Sequence, residues 1–265
     1  MHNVFKALYR RRNWTLPYVL FMIVFVALPL VLVMFYAFRS DGGGFTLNNI
    51  TRFFNDSDAL STFAVSLEIA IENTLICILL GYPAAWILAN RNYNRSSVTI
   101  IIFMLPMWIN ALMRTLATAE LFNMFGLQLG KGTLLFGMAY DYLPFMIYPI
   151  YNVLSRMDIS YSEAAQDLGA TPWKVFWRVT VPLSIPGVLS GVLMVFMPTM
   201  STFAISEFLT NNKIKLFGTI IQENINSSMW NYGAALSLIM LIIIGITSLL
   251  GEGDAEEDAG GGQLA

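Results

Sequence analysis

Residues 158–182 read DISYSEAAQDLGATPWKVFWRVTVP. This stretch is too polar to cross a bilayer, yet it carries paired helix signals. Ser160 and Glu163 form an S-x-x-E capping box, which predicts a helix beginning there. Gly169 suits the left-handed residue that ends such a helix. Thr171 before Pro172 predicts an N-cap with proline at the first helical position. The second helix is expected from Trp173 to about Val179, with Trp173, Phe176 and Trp177 as its aromatic residues. Pro182 then opens the next apolar run. A helix–glycine–helix hairpin with exposed aromatics, set between two apolar runs, reads as a docking surface for a soluble partner.

Working outward, the flanking runs are long enough to span a membrane, which takes ~20 mostly apolar residues. Six are expected: about Thr15–Phe38, Phe63–Ala89, Val98–Phe122, Leu134–Leu154, Leu183–Phe208 and Tyr232–Leu250. Only 12% of the chain is charged and 56% is hydrophobic, with mean hydropathy +0.62. Soluble domains carry about 25% charge, so the composition implies an all-α, polytopic membrane bundle. The first run follows a basic segment (Lys6, Arg10, Arg11, Arg12), but it is too long for the core of a cleaved signal peptide. It is read as an uncleaved anchor. Nine Lys and Arg residues fall on the side holding the N-terminus and the 158–182 segment, against five on the other. By the positive-inside rule both termini are cytoplasmic.

One cysteine, Cys77, and one histidine, His2, exclude a disulfide framework, a His-based triad and a multi-histidine metal site. The ionisable residues inside spans are the candidates for a transport path, because each is expensive there. They include Glu120 and Asp141, with Glu207 at the end of the fifth span. Trp108, Asn110 and Tyr142 are candidate lining neighbours. Arg114, deep in the third span, reads as a residue that snorkels to the outer interface. Glu68 and Glu72 share one helix face. Pro17, Pro29, Pro83, Pro106, Pro144, Pro149, Pro186 and Pro198 sit in or at the edges of spans, where a freed carbonyl bends a helix. They fit either ordinary packing or a bundle that bends to open a path.

Glu163-Ala164-Ala165, then Gly169, then Val181-Pro182 resemble the "EAA" loop of binding-protein-dependent ABC importer permeases. That resemblance implies the type I importer permease fold. It also implies that the loop's short helix enters a groove of an ATP-binding subunit, so that Glu163, Ala164, Ala165, Gly169, Trp173 and Pro182 form the coupling loop. The segments Gly81–Trp86, Pro106–Asn110, Tyr142–Met146 and Pro182–Gly187 are similar to spermidine/putrescine importer permeases, and nearest their B-type subunit. Permeases for iron, sulfate, thiamine and other solutes share this framework. The resemblance further implies a second homologous permease, two ATP-binding subunits that supply ATP and Mg, an extracytoplasmic binding protein, and a bacterial cell membrane as the location. It implies no cofactor on this chain and no nucleic-acid partner. A cationic cargo would need acids and aromatic faces along its way.

Two features depart from the family pattern. After Leu250 the chain runs GEGDAEEDAGGGQLA, an acidic glycine-rich tail (251–265) expected to lie outside the permease domain (1–250) without fixed structure. The loop between the third and fourth spans is also short. Gly126 to Thr133 imitates a phosphate loop, but the first glycine spacing is three residues and Gly132 stands where Ser or Thr is required, so it is dismissed. Gly42-Gly43-Gly44 reads as a flexible turn. A secondary transporter would need a repeat or a proton relay, and an intramembrane enzyme a convergent His, Asp or Ser site. The residues supply none of these, so the chain is read as lacking enzymatic activity and drawing its energy from a partner.

Overall fold

The computed structural model describes residues 15–40, 42–90 and 98–260. The basic N-terminal cluster and Arg91 and Arg95, which carry much of the orientation argument, lie outside the described residues. All regular structure among the described residues is helical, apart from one isolated bridge between Arg39 and Phe45.

The chain divides into two compact units. The first joins the chain up to Ser57 with Ile221–Ile242. Its opening span is α1 (Leu16–Met22), a π turn (Ile23–Ala27) and α2 (Leu28–Ala37). None of the most apolar window of this span is buried. A helix apolar on every side and uncovered by its own chain is suited to lipid or to another subunit. The π turn ends at Leu28, whose N–H donates to Ile23 O, and Pro29 follows directly. Proline cannot donate to the carbonyl four residues back and clashes with it; the wider π turn relieves that conflict. The glycine run beyond this span is an ordered turn. Ser40 N–H donates to Gly44 O (2.8 Å), and Phe38 stacks on Phe45 with centroids 5.3 Å apart. Next comes α3 (Asn48–Asn55). Its Arg52 guanidinium lies over the Tyr232 ring at 4.2 Å, and the Tyr232 hydroxyl donates to Asp56 (3.1 Å).

The second unit holds Asp58–Ile220 and the chain from Ile243 on. Its elements are α4 (Ser57–Ala89), α5 (Val98–Met104), a 3-10 turn (Leu105–Trp108), α6 (Ala111–Met124), α7 (Lys131–Arg156), α8 (Ser160–Asp167), α9 (Pro172–Val175), a second π turn (Phe176–Thr180), α10 (Val181–Ser201) and α11 (Ala204–Thr210). Two more helices, α12 (Phe217–Asn226) and α13 (Trp230–Gly260), pass between the units in sequence. The last helix continues into the acidic segment as far as Gly260.

Four unbroken helical runs among the described residues have the length and apolarity of spans, and one bent pair makes a fifth. That pair is a correction to the expected third span. The helix over Val98–Trp108 and that over Ala111–Met124 meet at 85°. The break follows Pro106, and the Asn110 side chain caps the second half by accepting from Leu112 N–H (2.9 Å). The expected fourth span, α7, has the length, but its tyrosines, prolines and Asp141 lower its apolarity. It can be less apolar because its neighbours cover it. Eleven of its residues are buried, among them Leu134, Met138, Met146, Ile147 and Ile150. The expected fifth span also ends early, at Ser201, and Glu207 belongs to the separate helix α11.

The core of this unit is built where α10 crosses α7. Gly187 and Gly191, four apart on α10, let the two backbones approach, as small residues do in membrane helix pairs. A Cβ at Gly187 would lie 2.9 Å from Pro149 O, and one at Gly191 2.7 Å from the Met146 sulfur. Gly81 on α4 meets the same methionine, with a hypothetical Cβ 2.9 Å from its Cγ. Met146 is therefore held between two glycines from two helices.

Candidate functional site

The 158–182 hairpin folds with changes at both ends. Its first helix, α8, has Ser160 as first helical residue, one position inside the predicted cap, so the Ser160–Glu163 box does not form. Asp158 takes over by accepting from Ser160 N–H at 3.0 Å. Hydrogen bonds from the Ser160 backbone and hydroxyl hold the Asp158 carboxyl below its ordinary value. Gly169 ends the helix with φ +83°. Gly169 N–H donates to Gln166 O (2.8 Å) and Ala170 N–H to Ala165 O (3.0 Å). This double bond pattern is the Schellman stop, and it needs the left-handed residue that glycine supplies.

The second helix does not stop before the span. From Pro172 to Ser201 the chain is one helical run, with the π turn at Phe176–Thr180 and Val181 N–H donating to Phe176 O. Pro182 therefore sits inside a continuous rod, and again a π turn ends immediately before a proline. Nor are the three aromatics equivalent. Phe176 packs edge-on against Tyr82 (5.9 Å) and Trp86 (5.6 Å), the aromatics of the Gly81–Trp86 segment. Tyr82 also shares a 2.8 Å hydrogen bond with Ser184. Trp173 and Trp177 remain exposed. In α8 nothing is fully buried: Glu163 and Ala164 are exposed and Ala165 is half-buried, while Ile159, Tyr161 and Leu168 also present apolar surface. The hairpin is thus pinned to α4 through Phe176 and leaves Leu168, Trp173 and Trp177 exposed.

The membrane-path residues are not gathered into one site. Trp108 is exposed at the break and Asn110 is consumed as a cap. Glu120 is exposed and Glu207 half-buried in the first turn of α11. Tyr142 packs against the apolar clusters around Met146 and Met138. Among the described residues, no hydrogen bond or ion pair joins Glu120, Asp141 and Glu207 to one another. Asp141 instead pairs with Arg114, Nε to Oδ1 at 3.2 Å, and both side chains are more than nine-tenths buried. Arg114 therefore does not snorkel. The distance is that of an ion pair, but the N–H is not aimed at the oxygen. Arg114 Nε and Nη1 and Asp141 Oδ1 have no aligned hydrogen-bond partner. Thr115 donates to Asp141 Oδ2 at 3.4 Å, and the Arg114 guanidinium lies 5.6 Å from the Tyr140 ring. Charge signs alone could have suggested this pair, since Arg114 and Asp141 occupy consecutive spans.

Sequence reasoning missed Lys131. Its Nζ lies 2.6 Å from Glu68 Oε1 and 2.8 Å from Glu72 Oε1. The two carboxylates at i and i+4 on α4 clasp the first residue of α7, and their hydrogen bonds hold the Lys131 ammonium above its ordinary value.

The fold as a whole is that of type I ABC importer permeases. A bacterial ABC transporter involved in the import of the acidic polysaccharide alginate has a chain that superposes with TM-score 0.68 at 14% identity, covering 96% of this chain and 99% of that one. A chain of the MetNI methionine ABC transporter superposes with TM-score 0.61 at 13% identity, covering 76% and 98%.

The chain belongs to the family described as binding-protein-dependent transport system inner membrane component, which matches residues 4–253. The spermidine/putrescine transport system permease protein PotB of Escherichia coli (strain K12) is 32% identical, over 86% of this chain and 92% of its own length. The PotB of Haemophilus influenzae is 30% identical over 85% and 87%. The molybdenum transport system permease protein ModB of the same organism is 32% identical over 58% and 72%. This chain is thus the non-catalytic, multi-pass permease subunit of an ABC importer, and the ATP is used by a partner ATPase.

Proposed function

We propose that this permease carries a polyamine of the spermidine or putrescine class into the cytoplasm. The observation that carries this reading is the 32% identity to a spermidine/putrescine permease across 86% of the chain. The chain pairs with a second, homologous permease to enclose the path. An extracytoplasmic binding protein delivers the cargo to the loops near residues 39–63 and 207–230. Two ATPase subunits binding Mg-ATP dock on the hairpin at Glu163, Ala164, Ala165 and Gly169, with Trp173 flanking and Pro182 carrying the motion into α10. Both termini face the cytoplasm. ATP-driven closure turns the bundle outward, and hydrolysis resets it. Exposed Glu120 and Trp108 and half-buried Glu207 are the groups left to meet ammonium ions, since Asp141 already holds a cation.

The test is ATP hydrolysis by the reconstituted complex, with intact Glu163 and with Glu163→Lys. Stimulation by spermidine with its binding protein, lost on charge reversal, supports both cargo and docking. Unchanged assembly and coupling in the variant would refute the docking role. Failure of spermidine and putrescine alone would refute the cargo and leave the docking role standing.

A further inference from the structure

The half-span α6 is joined to the rest of its unit by changes of direction at each end. At its start, Ile109 and Asn110 are extended (ψ 138° and 128°) between the two halves of the bent pair. At its end, Gly126 has φ +67°, and Gly126, Gly130 and Gly132 have open space around them. Between these points only Arg114, Thr115 and Ala119 are buried. Ala119 belongs to the apolar cluster with Ile205 and Leu209. Arg114 and Thr115 both converge on one carboxylate, Asp141 of α7. A single buried acid therefore supplies the polar attachment of a helix hinged at both ends.

The attachment is also incompletely made. Two buried Arg114 nitrogens and one Asp141 oxygen lack aligned partners. A buried polar group without a partner favours any rearrangement that gives it one. We propose that Arg114 and Asp141 form a positioning latch: they hold α6 against α7 in one state of the transport cycle, and ATP-driven rearrangement of the bundle releases them. Asp141 acts through Arg114 and does not touch cargo. The inference rests on the importer reading and is independent of which solute is carried.

The test uses the full reconstituted importer, with spermidine and its binding protein as stimulus. Arg114→Met should raise basal ATP hydrolysis and cut the ratio of stimulated to basal rates by roughly tenfold, because the released state is then populated without stimulus. Arg114→Lys, which keeps the charge, and the exchange Arg114→Asp with Asp141→Arg should recover most of that ratio. The spermidine concentration for half-stimulation should stay within about twofold of wild type. A raised half-stimulation concentration in Asp141→Asn that the exchange does not restore would make Asp141 a cargo ligand and overturn the latch.

If spermidine does not stimulate, the basal rate of Arg114→Met still decides: an unchanged rate overturns the latch. Should these variants fail to assemble, spin labels at Met113→Cys on α6 and Tyr148→Cys on α7, with Arg114 and Asp141 intact, give the answer. A distance that changes between nucleotide-free and ATP-trapped complexes supports release. One fixed distance in both states refutes it.

Discussion

Two ionic contacts join neighbouring helices in the same unit, and they differ in every respect but sign. Lys131 reaches two glutamates at 2.6 and 2.8 Å, with its side chain 43% exposed. Arg114 meets Asp141 at the longer distance of 3.2 Å, with side chains 6% and 3% exposed. Distance alone would rank the lysine clasp first. The surroundings reverse the order: water and salt screen the clasp, and holding long side chains in place costs entropy. The buried pair is unscreened, and removing either partner strands a charge in a medium that cannot solvate it.

The largest expected effect tests this ranking. Arg114→Met leaves Asp141 unpaired and should cost about 3–5 kcal/mol, read as a fall in the thermal midpoint of the purified protein in detergent. Arg114→Met with Asp141→Leu should recover most of the loss, because an apolar pair needs no solvation. If the double variant is no better than the single, the pair is a net stabiliser and the contrast with the clasp is wider than argued. A dry, uncharged contact gives the intermediate scale. Gly191→Val drives a side chain onto Met146 and should cost about 1–3 kcal/mol. Lys131→Met should shift the midpoint less than either, and its shift should shrink between low and high salt while that of Arg114→Met holds. A salt-independent Lys131 effect would break the comparison.

The smallest effects are titrations of exposed groups. The ammonium of Lys131 is held above its ordinary value of 10.5, so the clasp's contribution is fully present below that pH and is lost only as pH rises through the raised value. For Asp158 the sign is opposite. Its carboxyl is held below 3.8, so its contribution to the start of α8 is present above 3.8 and is lost as pH falls through the lowered value. Hydrogen exchange of the 158–168 peptide, corrected for intrinsic rate, should speed up at pH 3 relative to pH 6. Asp158→Asn should flatten that dependence.

Most of the fold was legible because local signals and lipid point the same way. Gly169 ends α8 where a left-handed residue was expected. The apolar run from Pro17 to Ala37 is a helix, and none of its most apolar window is buried. What was not legible depends on partners distant in sequence. Val98–Phe122 looks like one span by composition, since hydropathy does not register that Pro106 and Asn110 stop one helix and cap another. Asp141 looks like a cargo ligand until Arg114, 27 positions earlier, is placed against it. The capping box failed for a local reason: Asp158, two residues upstream, takes the Ser160 N–H that Glu163 would have accepted, and the Glu163 N–H donates to Ile159 O instead of to the Ser160 hydroxyl. The close approach at Gly187 and Gly191 needed the structure, because it depends on Pro149 and Met146 of α7 packing against them.

The unbroken helical run from Pro172 to Ser201 has a mechanical consequence. Its 30 residues make a rod about 45 Å long at ~1.5 Å per residue. Were the hairpin separated from the span by a flexible joint, force applied to it would be absorbed there. Along a rod clamped near Phe176, a tilt of about 5° carries the far end, about 37 Å away at Ser201, through roughly 3 Å of arc. The protein thus holds a lever whose fulcrum is the ring cluster of Tyr82, Trp86 and Phe176.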